Sequence, residues 1–129
     1  MKTSHGLLLL ACLCAAGGLT GCEKQLEAPA DKGVCWHLVQ PPGQPPKFNK
    51  LADNQVDLEH CAAQIEKMRI AFRALGKNDD EVVGAYQGQY LFDDDTGVAT
   101  SQTLKGHPYS LMVRSGDGRL VVPGAMPAQ

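Results

Sequence analysis

The sequence predicts an α+β domain: a mainly antiparallel sheet of four to five strands with one long helix on one face, in the order β-α-β-β-β-β. Two observations carry this expectation. Residues 57–75 form the one long stretch with an apolar side chain at every third or fourth position, the repeat of a helix with a single buried stripe. The other apolar runs are short, rich in β-prone residues and separated by Gly, Asp, Asn and Pro turns, which suits strands joined as hairpins.

Val34-Cys35-Trp36-His37-Leu38-Val39 reads as the first strand. Trp36, the only tryptophan, is assigned to packing. His37 points to the opposite side as an ordinary strand residue. Four prolines within residues 41–46 end the strand in a stiff loop, because proline removes backbone donors.

Asp57 is placed as the helix N-cap, with Glu59 favouring the positive end of the dipole. The expected stripe is Leu58, Cys61, Ile65, Met68, Phe72 and Leu75, and Gly76 is the expected stop. Glu59, Gln64, Glu66, Lys67, Arg69 and Arg73 fall off the stripe and are assigned to solvent.

Asn78-Asp79-Asp80 reads as a turn, and residues 81–92 as one strand. Gly84 and Gly88 weaken a strand, so a close approach is expected there. It is either helix packing or a recognition surface formed by Tyr86, Gln87, Gln89 and Tyr90. Asp93-Asp94-Asp95-Thr96-Gly97 has the alternating aspartates of a calcium loop, but no Glu follows Glu81, so the bidentate ligand is missing. A hairpin turn is expected. Strands follow at 98–104, 109–114 and 119–122, the last two joined by a turn at 115–118. Residues 34–123 make the domain and 124–129 a loose tail.

The start of the chain carries a different signal. Lys2 precedes an apolar run from Leu7 to Ala16, which has the length of a secretory signal core and is too short to span a bilayer. Leu19-Thr20-Gly21-Cys22 then resembles the lipobox of bacterial lipoproteins. The resemblance implies a signal peptide over 1–21, cleavage before Cys22, and diacylglycerol on its sulfur with a further acyl chain on its amine. Two or three chains anchor firmly where one is marginal. Glu23, where enteric-type lipoproteins retained at the inner membrane carry Asp, favours an outer-membrane lipoprotein facing the periplasm, with the inner membrane and the cell surface as the alternatives. Residues 22–33 are polar and aperiodic, and are expected to be a lipidated flexible tether.

Of five cysteines, Cys12 and Cys14 leave with the signal and Cys22 is acylated. Cys35 and Cys61 remain in an oxidising compartment and are expected to pair. A metal site and a reactive thiol are the alternatives. Cys35 and His37 with His60 and Cys61 offer zinc-compatible atoms, but adjacent helical residues point about 100° apart. No metal or cofactor is therefore expected.

The formal charge is −2, and loss of Lys2 with the signal makes it more negative. That excludes nucleic acid as a partner through bulk charge. Hydrolysis needs a nucleophile beside an oriented base, and no Gly-x-Ser-x-Gly, His-Glu-x-x-His or glycine-rich phosphate loop occurs. The expected function is a membrane-anchored, non-enzymatic binding or accessory module for an envelope protein or cell-wall component. The alternatives are a small-ligand or metal carrier, a hydrolase, or a lysozyme inhibitor. The last rests on Ser115-Gly116-Asp117-Gly118-Arg119, which resembles the Ser-Gly-x-Gly loop of C-type lysozyme-inhibitor lipoproteins over five residues.

Overall fold

The structure is a computed structural model that describes residues 25–77 and 80–124. It is α+β. In chain order the elements are β1 (Cys35–Val39), β2 (Lys47–Ala52), α1 (Leu58–Ala74), β3 (Val82–Tyr86), β4 (Gln89–Asp93), β5 (Gly97–Ser101), β6 (Tyr109–Arg114) and β7 (Leu120–Val121). The strands form one antiparallel sheet in the order β2-β1-β3-β4-β5-β6-β7. The helix bridges over β1 between β2 and β3 and lies chiefly across β1 to β4.

The sheet has seven strands rather than four or five, and two differences account for the change. β2 was not expected. Its sequence, Lys-Phe-Asn-Lys-Leu-Ala, carries two lysines and an asparagine, because an edge strand is half solvated and lysine there blocks further pairing. The single strand expected over 81–92 is instead a hairpin. Gln87 and Gly88 both take positive φ, 45° and 83°, the backbone of a two-residue turn that matches strand twist. Gln is an unusual residue for that conformation, so the turn carries no strong sequence mark. The strand expected over 98–104 stops at Ser101 as β5.

The helix ends are where the sequence placed them. Asp57 accepts a 2.8 Å hydrogen bond from the His60 backbone N–H. At the other end Gly76 has φ 75°. The Gly76 and Lys77 N–H groups donate to Arg73 O and Phe72 O, each at 3.0 Å, the paired bonds of a Schellman stop.

The buried stripe differs in part from expectation. Cys61, Ala62, Ile65 and Arg69 are the buried helix residues. Leu75 is 75% exposed, since it lies at the helix end beyond the sheet. The core joins this stripe to Cys35, Val82, Tyr86, Leu91 and Val98. Gly84 is the point of closest approach. A Cβ there would collide with the end of Ile65 and lie 2.7 Å from Trp36 O, so helix packing explains this glycine.

Candidate functional site

Cys35 on β1 and Cys61 on α1 form a disulfide with a Cα–Cα distance of 5.3 Å. Both are fully buried. Closing a loop of this size contributes roughly 3.5 kcal/mol in the chain-entropy account. Cys22 lies outside the described residues.

The four residues expected to form a recognition surface do not share one. Gly84 faces the helix, and Tyr86, two residues on, lies on that same face. Tyr90 pairs with Ala85 and so lies on the other. Tyr86 is 5% exposed and Tyr90 fully buried. Their hydroxyls donate to Gln55 O at 2.8 Å and Leu26 O at 2.6 Å. The Gln87 side chain accepts from the Gly33 N–H at 3.1 Å. Gln89 is exposed and lies 3.1 Å from Thr100 Oγ1. Period-two reasoning placed Tyr86 and Tyr90 together because it ran one strand straight through what is a turn.

Residues 22–33, expected to be a flexible tether, make fixed contacts from Leu26 onward. Besides the Tyr90 bond, Pro29 O accepts from the Gly88 N–H at 2.8 Å, and Gly33 O accepts from Gln55 N–H at 2.9 Å. These residues cover part of the sheet face that the helix leaves open.

The three aspartates at the end of β4 and in the turn after it, Asp93 to Asp95, turn away from one another. Asp93 is buried against Arg114 at 2.9 Å. Asp94 accepts from the Thr96 N–H and hydroxyl at 2.7 and 2.6 Å. Asp95 meets both Arg69 and Arg73 at 2.5 Å. Each is committed to a guanidinium or to the turn backbone, and no group of three metal-ligating side chains occurs among the described residues.

Asp93 belongs to a charge cluster that sequence patterning missed. Arg114 on β6 meets both Glu66 oxygens on α1, at 2.6 and 3.0 Å. It also donates to Asp94 O at 2.7 and 3.1 Å. The Arg114 contact holds the Glu66 carboxyl below its ordinary value. Burial, with Glu66 adding to it, pushes Asp93 up to about 8. Asp93 Oδ2 is buried and has no hydrogen-bond partner. Arg114 spends its donors inside the protein, so this cluster is a helix-to-sheet clamp.

Among the described residues, two surface hollows stand as candidates, one at each end of the sheet. The larger, of about 540 Å³, is lined by the end of β1 and Pro41, the start of β3, and the helix end at Phe72 and Lys77. Leu38, Val39, Pro41, Phe72 and Val82 give it apolar walls, and Lys77 and Glu81 sit beside them. Burial raises the Glu81 carboxyl above its ordinary value, and Lys77 lies 5.1 Å over the Phe72 ring. The chemistry suits an apolar group with a polar or charged neighbour. The second hollow, about 430 Å³, lies at the opposite end. Gln89, Thr100, Ser101, Gln102, Thr103 and Tyr109 line it with amides, hydroxyls and one ring.

No helix among the described residues is long and apolar enough to cross a membrane. No protein-family model, curated protein or solved structure matches this chain.

Proposed function

We propose that this chain is a bacterial outer-membrane lipoprotein, anchored through Cys22, whose domain faces the periplasm as a non-enzymatic binding or accessory module for an envelope protein or cell-wall component. The observation that carries the reading is the combination of a lipobox-like Leu19-Thr20-Gly21-Cys22 with a Cys35–Cys61 disulfide built into the core. Such a bond persists in compartments outside the reducing cytosol.

The binding reading centres on the hollow lined by Val39, Phe72, Lys77 and Glu81. It lies at the sheet end opposite the contacts that hold Leu26 and Gly33, so an anchored domain holds it away from the lipid. Leu75, between Phe72 and Lys77 in the chain, is exposed. The partner expected there presents an apolar side chain next to a charged or polar group.

Crosslinking in intact cells tests this, with a photoreactive residue at position 75 or 77 and mass spectrometry of the product. A discrete envelope partner that disappears with Phe72→Ala or Lys77→Glu supports the reading. Equal capture by those variants removes the hollow from it. No partner at either position contradicts the binding reading itself.

A further inference from the structure

The sheet end opposite the large hollow combines three things that the proposed function leaves unexplained. It holds the fixed residues nearest the lipobox cysteine, two exposed apolar side chains, and an amide- and hydroxyl-lined hollow. The geometry points to a membrane-contact surface here, with Val56 and Tyr109 resting among the headgroups of the lipid into which Cys22 is anchored. This inference rests on the lipidation of Cys22 proposed above.

Chain length comes first. Leu26 is the fourth residue after Cys22, and four residues span at most about 14 Å when fully extended. Leu26 O is tied to Tyr90 OH at 2.6 Å and Pro29 O to Gly88 N at 2.8 Å. An anchor at Cys22 therefore holds the β3–β4 turn close to the lipid surface, with no long tether between them.

Strand direction then decides what else lies at that end. β3 ends and β4 begins there, at Tyr86 and Gln89. β5 ends there at Ser101, and β6 begins there at Tyr109. The loop between β5 and β6 shares Gln102 and Thr103 with a depression lined by Gln25 to Ala28. Gln55 binds both Gly33 and Tyr86, which brings its neighbour Val56 to the same end.

Val56 and Tyr109 are each 75% exposed. An exposed valine is disfavoured in water, and a tyrosine has an apolar ring with a polar tip that suits the headgroup region. The hollow beside Tyr109 adds Gln89, Gln102 and Thr103 as neutral hydrogen-bonding groups. Neutral partners fit the ester carbonyls and polar atoms that all headgroups share, where an acidic surface would be repelled from anionic lipid.

Brominated-lipid quenching provides the test. Full-length lipidated protein carrying Tyr109→Trp and Trp36→Phe is reconstituted into phosphatidylcholine vesicles with brominated acyl chains. Tryptophan at 109 is expected to shift to the blue and lose about half its emission relative to unbrominated vesicles, as an interfacial residue does. A tryptophan at the remote end, Leu75→Trp in the same background, is expected to be unaffected. Hydrogen exchange on the unsubstituted protein reads the same contact, with residues 102–108 slowed in vesicles relative to Cys22→Ser protein in solution. Acylated protein with position 109 unquenched and the loop unslowed overturns the contact surface and leaves the anchor standing. Absence of acyl chain on Cys22 overturns both.

Discussion

Arg114 on β6 forks onto Glu66 on α1 with contacts of 2.6 and 3.0 Å. It ties the helix to the far half of the sheet. α1 lies chiefly across β1 to β4, and this side chain links it to β6. Both partners are mostly buried, with side chains 16% and 15% exposed.

Arg114→Ala is expected to destabilise the fold by about 3 kcal/mol, because Glu66 and the Asp94 carbonyl lose their donors in a partly buried place. Arg114→Lys should recover little, since an ammonium does not reproduce the fork. Urea unfolding followed by circular dichroism measures both. The expected order is wild type, then Lys, then Ala.

Asp93 gives the protein an inverted acid response. Its folded pKa of about 8 lies above the ordinary value of 3.8, so the folded state holds a proton that the unfolded chain has released. Stability conferred by that proton is full below about pH 4 and falls as pH rises toward 8, by at most about 1.4 kcal/mol per unit. Glu66, Asp94 and Asp95 shift downward and lose their contributions as pH falls, so the two slopes oppose. Asp93→Asn removes this titration. Its stability should change less than the wild type's between pH 5 and 8, as read from thermal midpoints in a pH series.

The Cys35–Cys61 bond should matter to stability out of proportion to its size. Replacing both cysteines by alanine, or reducing the bond, is expected to cost roughly 3.5 kcal/mol. A chain this short has a modest margin above unfolding, so the reduced protein should unfold at markedly lower denaturant. Thiol counting before and after reduction confirms that the change comes from this pair.

Gly84 should not tolerate a methyl group. Its Cβ would meet Ile65 and Trp36 O, and overpacking of this kind costs about 1–3 kcal/mol. Ile65→Val removes the colliding end of that side chain. Gly84→Ala with Ile65→Val should be more stable than the sum of the single losses, which a double-mutant cycle measures.

The helix was legible because its signals were local and agreed. Asp57, the three-four repeat and Gly76 each pointed to the same bounds. The α+β class and the disulfide followed from patterning and from counting cysteines. The missing pieces were those whose logic is tertiary. β2 reads as polar because one side meets solvent. The Gln87–Gly88 turn is enforced by pairing across β3 and β4 more than by the identity of Gln87. Glu66, Arg69 and Asp93 look like surface charges in one dimension, and each has a partner 21 to 48 positions away. The hollow at Phe72 and Lys77 joins two strand ends to a helix end, and no spacing in the sequence marks it.

The central claim is that Cys22 carries the anchor and the compact domain is held directly at the membrane. Metabolic labelling with an alkyne fatty acid, followed by membrane fractionation, tests it on wild type and Cys22→Ser side by side. The account predicts label on the wild-type chain, recovery with the outer membrane, and a Cys22→Ser protein that is unlabelled and released from that fraction. A Cys22→Ser protein that keeps its label, or wild-type chain that is soluble and unlabelled, would contradict the account.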